Sequence, residues 1–238
     1  MTQGLNGVWC DLLLPAVRPL GVALAGFYFC MVKGVKVAVY IDWQNAYNSA
    51  RRAFGLEDLP TEHGQFSPFR LALPLAAGNS RGKDAQLVRV EIHRGLPSSS
   101  KDPIGYGANR RHSAAWMKEN PEVVIPRLRP LRYPPGYPAE PPEEKGVDVQ
   151  LALAAVEHTT STPPLCDVAI IFSNDTDLIP AIQTISRLAS SAHVETAAWV
   201  SETYSARLNA QGARVFHHEV TQDTFEGVAD LLNYAHKT

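Results

Sequence analysis

Acidic side chains stand at the ends of two predicted strands, where they can do chemistry together. Asp42 follows the apolar segment 35–41, and Asp175 and Asp177 follow the apolar segment 168–172. Apolar segments rich in β-branched residues are typical of strands that are covered on both faces, as in a parallel sheet. Because the carboxyl ends of parallel strands open onto one crevice, we expect these acids to lie close together.

Asp148 is predicted to reach the same edge of the sheet from the start of a helix. Asp148, Leu151, Ala152 and Ala155 recur at helical spacing within residues 146–158 and share one face. The last three are apolar, so this face packs on the sheet, and a carboxylate on that side needs a cation or several donors. A cluster of carboxylates without Cys or His favours a hard cation, Mg²⁺ or Mn²⁺.

Each acid also has a simpler interpretation as a helix cap. Aspartate is a preferred N-cap residue, and an acid in the first turn complements the helix dipole. Asp42, Asp148 and the pair Asp175 and Asp177 all stand at or before the start of a predicted helix. One acid alone therefore does not separate the two interpretations, whereas several acids with one destination favour a metal site.

Composition narrows the class of protein. The length of 238 residues suits one large domain, or one domain with additions. A net charge of −2 gives no overall basic field for nucleic acid, although local patches can still bind it. Cys10, Cys30 and Cys166 are odd in number and widely spaced, which favours a reducing compartment and predicts a cytoplasmic protein. No glycine-rich phosphate loop of standard spacing is present, so we do not expect a nucleotide cofactor.

Predicted strands and helices alternate from residue 35 onward. The alternation predicts a three-layer α/β fold, in which helices cover both faces of a central, mostly parallel sheet. The predicted strands are 35–41, 86–93, 122–126, 167–172, 194–200 and 212–216. The predicted helices include 46–54, 69–76, 107–120, 146–158, 178–188, 201–209 and 221–234.

Residues 1–34 stand apart from this pattern. The segment 12–32 is mostly apolar, but two prolines, an arginine and a glycine interrupt it. Three interpretations stay open: sequence upstream of a true start at Met31, a surface extension, and a membrane segment. We predict one domain over 35–238 and no stable membrane association.

A proline-dense segment, 127–142, is predicted to be an exposed loop inserted into this domain, because such density excludes helices and central strands. The segment interleaves arginines with tyrosines, a combination that can hold phosphates and stack bases. The alternative is a surface insertion with solvated arginines. The candidate RNA-binding residues are Arg110, Arg111, Arg127, Arg129 and Arg132.

Three short motifs, in this order, resemble those of the NYN domains, a branch of the PIN-like ribonucleases. They are Asp42-x-x-Asn45, Lys145-Gly146-Val147-Asp148 and Ser173-Asn174-Asp175-Thr176-Asp177. The resemblance runs from Val35 to about Asp230 and implies that the three-layer α/β fold is a PIN-like (Rossmannoid) fold. The chain departs from the family pattern at Asn174, where the family usually has glycine, and in the long proline-rich segment before Lys145.

The resemblance implies metal-dependent hydrolysis of RNA phosphodiester bonds. Asp42, Asp148 and Asp175 would hold one or two Mg²⁺ or Mn²⁺ ions, with Asp177 as a further direct or water-mediated ligand. The ion would polarise the phosphoryl group and lower the pKa of a bound water.

The resemblance also assigns supporting roles. Asn45 would orient a water or a phosphate oxygen, and Ser173 would position one of the metal ligands. PIN-like relatives often pair, so a homodimer is a further expectation. Two other functions stay open: a non-catalytic RNA-binding or regulatory module on the same fold, and a metal-dependent phosphohydrolase acting on small phosphoesters.

Overall fold

The fold is built around a six-stranded sheet in which every neighbouring pair of strands is parallel. The computed structural model describes residues 34–82, 84–189 and 191–235. The interpretations of the N-terminal extension therefore fall outside the described residues. The strands are β1 (Val35–Asp42), β2 (Ala85–Leu96), β3 (Val124–Pro130), β4 (Val168–Phe172), β5 (His193–Trp199) and β6 (Phe216–Val220).

Helices connect the strands and cover both faces of the sheet. They are α1 (Trp43–Ala53), α2 (Pro68–Ala77), α3 (Pro103–Glu119), α4 (Val147–Thr160), α5 (Ile179–Leu188) and α6 (Gln222–Val228), with short 3-10 helices at Thr61–Gly64 and Thr176–Leu178. Among the described residues, no helix combines the length and the apolar character needed to cross a lipid bilayer.

The order of strands across the sheet is β3-β2-β1-β4-β5-β6, so it reverses between β1 and β4. Ile41 pairs with Phe172, which places the carboxyl ends of these two strands level with each other. In open α/β sheets, ligands bind in the crevice outside the carboxyl ends of the strands at such a reversal. Asp42 and Ser173 follow this pair directly and therefore face that crevice.

Side chains of β1 alternate between two hydrophobic cores, one on each face of the sheet. Val37, Val39 and Ile41 pack with α1, α2, α3 and α6. Ala38 and Tyr40 pack with α4 and α5 on the opposite face. Because successive strand residues point to opposite faces, a strand with apolar residues throughout must be covered on both sides. The predicted three-layer α/β fold with a central parallel sheet is confirmed.

Strand β3 runs into the proline-dense segment, so the prediction of a loop from residue 127 is wrong for its first four residues. Residues 127–130 pair with β2, and Pro126 and Pro130 both lie within the strand. The two prolines are tolerated because β3 is the edge of the sheet. An edge strand has no neighbour on its outer side, so a proline there can lack an N–H without losing a hydrogen bond between strands.

The structure also differs from the prediction after β5. The predicted helix 201–209 is wrong: the described segment turns at Ser201, whose N–H donates to the carbonyl of Tyr204 at 2.8 Å, and then runs extended. Leu208 and Ala210 are buried while Asn209 between them is exposed, an alternation of extended rather than helical backbone. The last strand begins at residue 216 rather than 212, and the last helix ends at 228 rather than 234.

His217 and His218, interpreted from the sequence as ordinary surface residues, are half-buried on β6. His218 Nε2 lies 2.6 Å from Glu195 Oε2, and His217 Nδ1 lies 2.9 Å from Thr196 Oγ1. Both histidines therefore pair with β5, one on each face, and neither sits near the acids described below.

Candidate active site

Four carboxylates line one cavity of about 350 Å³ at the reversal of strand order. We call it the acidic cavity and define it by Asp42, Glu144, Asp148 and Asp175. Three of the four aspartates predicted from the sequence thus meet at one place, together with one glutamate that the prediction missed. Asn45 also lines this cavity.

Asp42 ends β1 and caps helix α1. Its Oδ1 accepts a hydrogen bond from the Asn45 N–H at 3.2 Å, and its Oδ2 accepts one from the Ser173 hydroxyl at 3.0 Å. The pKa of Asp42 is raised to about 6, mainly by burial; the nearby Glu144 and Asp175 contribute to the rise, and the two hydrogen bonds oppose it. Asp42 is therefore both the N-cap of a helix and a candidate metal ligand.

Hydrogen bonds fasten the turn after β4 to the start of α1. The Asn174 N–H donates to Asn45 Oδ1 at 3.0 Å, and the Asp175 N–H donates to the Ser173 hydroxyl oxygen at 3.1 Å. The Asn174 side chain donates to the hydroxyl of Tyr204 at 2.6 Å. Ser173 thus connects the carboxylate of Asp42 with the backbone of Asp175.

Asp175 and Asp177 lie close in sequence, but the structure places them differently. Asp175 Oδ1 accepts a hydrogen bond from the Asp177 N–H at 3.0 Å, so Asp175 caps the 3-10 helix that follows β4. Asp175 lines the acidic cavity, whereas the Asp177 side chain is exposed and is not among the residues that line it. The aspartate pair therefore contributes one carboxylate to the cavity.

Glu144 approaches the cavity from the segment before α4, close to Asp148 in the first turn of that helix. The Gly95 N–H at the end of β2 donates to Glu144 Oε1 at 2.7 Å. A β-carbon on Gly95 would lie 2.6 Å from that same oxygen and closer still to Leu131 Cδ2, so both side chains would have to shift to admit one. Burial raises the pKa of Glu144 and Asp148 raises it further, while the Gly95 hydrogen bond and Arg94 oppose the rise.

The donor atoms of this cavity fit a hard divalent cation, since all four acids offer carboxylate oxygens. Their present arrangement fits less well: among the described residues, no three His, Cys, Asp or Glu side chains are close enough to share a metal ion. Burial is the main cause of the raised pKa values of Asp42 and Glu144, and repulsion adds to it: Glu144 and Asp175 raise the pKa of Asp42, and Asp148 raises that of Glu144. Side chains must therefore rotate toward a common point for three of them to bind one cation.

The partly exposed side chain of Arg127 pairs with a buried carboxylate. Its guanidinium lies 2.8 Å from Glu91 Oε1, which also pairs with Arg89 at 2.8 Å, and Glu91 is fully buried. His93 Nε2 lies 3.2 Å from the other oxygen of Glu91. These partners hold the pKa of Glu91 well below its usual range despite burial. Arg127 therefore serves a buried charge network.

The other predicted arginines divide into two groups. Arg111 donates to the carbonyl of Tyr234 at 2.8 and 2.6 Å, and Arg129 donates to the carbonyl of Lys145 at 2.5 Å. Arg110 and Arg132 are exposed on the surface. Arg129 is exposed as well, so three of the predicted RNA-binding arginines are directed to solvent.

Comparison with known proteins adds little about chemistry. No protein-family model matches the chain, and no curated protein matches it significantly. A crystal structure of a protein of unknown function from Vibrio parahaemolyticus RIMD 2210633 is similar, with 16% sequence identity over 80% of this chain and 95% of that chain and a TM-score of 0.48. At this identity and score the likeness carries no argument about function.

Proposed function

We propose that the chain hydrolyses RNA phosphodiester bonds with Mg²⁺ or Mn²⁺ bound at the acidic cavity. One observation carries the proposal: four carboxylates from three segments of the chain converge on one cavity at the reversal of strand order. The three motifs that resemble those of NYN domains supply three of these acids and support RNA as the substrate class.

The residues that would hold the ion are Asp42, Asp148 and Asp175, with Glu144 as a fourth donor. Asp177 lies outside the cavity lining, so a role for it would run through a water or through its hydrogen bond to Asp175. When bound, a divalent cation supplies Lewis-acid stabilisation of the phosphoryl oxygens and acidifies a coordinated water.

The chain's own residues prepare this chemistry. With a pKa of about 6, Asp42 is largely ionised at neutral pH and can hold a proton under mildly acidic conditions. Ser173 keeps its carboxylate fixed by the hydrogen bond to Oδ2. The Oδ1 of Asn45 is engaged by the Asn174 N–H, which leaves its Nδ2 group to donate to a phosphate oxygen.

Positive charge is needed beside the cavity, because carboxylates repel the phosphates of RNA. Arg110 and Arg132 are exposed and supply that charge on the surface. We expect their removal to weaken RNA binding without touching the metal ligands.

The decisive experiment is cleavage of RNA in Mn²⁺ by the wild-type chain and by Asp148→Asn and Asp175→Asn. We expect EDTA to abolish cleavage and each substitution to lower it more than about 100-fold, since both remove a charged ligand. The exposed Asp58→Asn is the matched control and should retain activity. Thermal unfolding of each variant checks that the fold persists.

Three other results would contradict the proposal in different ways. RNA binding without cleavage or Mn²⁺ binding would favour the non-catalytic module. Hydrolysis of bis(p-nitrophenyl) phosphate but not RNA would favour a small-phosphoester hydrolase. Undiminished cleavage by both aspartate variants would place the activity elsewhere.

A further inference from the structure

A second cavity, of about 290 Å³, adjoins the acidic cavity, and Gln44 lines both. We call it the aromatic cavity and define it by Trp43, Tyr47, Arg94, Asn109 and Tyr234. Its volume lies near the lower end of the range for small-ligand sites. The adjacency means that one RNA segment can place a phosphate in the first cavity and a base in the second.

Arg94 brings a positive charge into this cavity. Its guanidinium lies over the rings of Trp43 and Trp116, 5.4 and 5.9 Å from their centroids. Within the described part of the chain, no carboxylate lies within 4.0 Å of this group. Burial lowers the pKa of Arg94 to about 10, so it remains charged at neutral pH. A half-buried cation without an ion pair is suited to a ligand that offers acceptors or negative charge.

Asn109 offers an acceptor to the same cavity. The residue is 2% exposed, and its Nδ2 donates to the Gly95 carbonyl at 2.9 Å, which fixes the orientation of the amide. Its Oδ1 is buried and has no hydrogen-bond partner in the described part of the protein. Buried acceptors are normally satisfied, so this atom calls for an N–H or O–H donor on a ligand.

Aromatic rings from opposite ends of the chain form the walls. Tyr47 comes from α1, and Tyr234 comes from the segment after α6, where it stacks on His112 with centroids 4.3 Å apart and planes 15° apart. The two hydrogen bonds from Arg111 to the Tyr234 carbonyl hold that segment in place. Aromatic walls favour a flat ligand such as a nucleobase, which stacks on them.

We propose that the aromatic cavity is a nucleobase subsite and that guanine is the base it fits best. Guanine presents N–H donors for Asn109 Oδ1 together with the O6 and N7 acceptors that suit the guanidinium of Arg94. Uracil lacks an exocyclic amino group, so it offers Asn109 Oδ1 fewer N–H donors than guanine does. The assignment rests on the proposed function for its place on an RNA chain, whereas binding of a single nucleotide does not depend on cleavage.

The test is titration of the full chain with GMP, AMP, CMP and UMP in EDTA, followed by calorimetry. We expect GMP to bind most tightly and UMP at least 10-fold more weakly. Ala108→Leu fills the cavity from helix α3, and we expect it to weaken GMP binding at least 10-fold. Ala114→Leu makes the same change at an exposed position of the same helix and should bind GMP as the wild type does.

Arg94→Met gives a second variant, which keeps the apolar stem over the tryptophans and removes the charge. Failure of GMP to bind the wild type at millimolar concentration would overturn the subsite, as would unchanged binding by Ala108→Leu. RNA cleavage in Mn²⁺ at identical positions by Ala108→Leu and wild type would overturn the subsite but leave the proposed function standing. GMP binding that Ala108→Leu abolishes, in a chain that cleaves no RNA, would support the subsite and overturn the proposed function.

Discussion

The hydroxyl of Ser173 donates a hydrogen bond of 3.0 Å to Oδ2 of Asp42, and this bond joins the ends of β4 and β1. These are the two strands between which the order of the sheet reverses. The bond favours the ionised carboxylate, whereas burial of Asp42 favours the protonated acid. The charge of the buried acid near neutral pH is therefore set by these opposing effects.

Replacing Ser173 by alanine should raise the pKa of Asp42, because the hydrogen bond that stabilises its charged form is lost. We expect the acidic limb of the pH–rate profile for RNA cleavage to move up by roughly one pH unit, since a hydrogen bond to a charged group contributes about 1.5 kcal/mol. The measurement is kcat/KM in Mn²⁺ between pH 5 and 9. Ser99→Ala, at an exposed position, is the control, and an unmoved limb in Ser173→Ala would show that this bond does not govern the acid.

In the absence of metal, the Asp42→Asn variant should become more stable than the wild type as the pH rises. In the folded chain the pKa of Asp42 is raised from 3.8 to about 6, so the folded state binds the proton more tightly than the unfolded state. Its contribution to stability is therefore fully present below pH 3.8 and is lost as the pH rises through 6. Asparagine does not ionise, so the variant escapes this loss.

We expect the advantage of Asp42→Asn over the wild type to grow by about 1 kcal/mol between pH 5 and pH 8. Urea unfolding in EDTA measures it. Burial also lowers the pKa of His112, His158 and His217, but these groups titrate in both proteins and cancel in the comparison. An advantage that is independent of pH would mean that Asp42 is not the titrating group.

Glu144→Gln should weaken Mn²⁺ binding and RNA cleavage by about 10-fold or more, because it removes one charge from the acidic cavity. The glutamine keeps an Oε1 that can accept from the Gly95 N–H, so the local fold is preserved. Glu143→Gln is a matched control: the neighbouring residue is exposed and pairs with Lys145 at 3.3 Å on the surface. Calorimetry with Mn²⁺ measures the binding, and equal effects of the two substitutions would argue against a role for Glu144.

Arg127→Met should destabilise the fold by about 1–3 kcal/mol, since it removes one partner of the fully buried Glu91 carboxylate. Arg89 still pairs with that carboxylate, which limits the loss. Arg110→Met, at an exposed position, should change the free energy of unfolding by less than about 0.5 kcal/mol and should weaken RNA binding. Urea unfolding and filter binding separate the two roles, and a reversed order of stabilities would contradict them.

The sequence predicted those parts of the site that depend on local pattern. β4 is apolar throughout and β1 is apolar from Val37 to Ile41, so their ends and the acids there could be located from residue order alone. Asp148 could be placed because it shares one helical face with Leu151, Ala152 and Ala155. The order of the strands could not be predicted, since nothing in the residue order states that β4 lies beside β1.

Other parts depend on contacts between distant segments. Glu144 precedes α4 in a proline-rich segment, and its hydrogen bond with the distant Gly95 holds it at the cavity. Arg94 lies near the carboxyl end of β2, a position that could have identified it as a site residue. The burial of Leu208 and Ala210 on either side of an exposed residue indicates an extended chain. This pattern of burial is known only from the folded structure, so the sequence did not exclude a helix there.

Gly146 precedes α4 in a left-handed conformation with φ of 72°, and a β-carbon there would lie 3.3 Å from Arg129 Nε. A residue without a side chain thus permits the bend that aims Asp148 and brings the Lys145 carbonyl to Arg129. An alanine at this point would strain the bend and crowd the arginine, so the arrangement of the acidic cavity would change although none of its acids had been replaced.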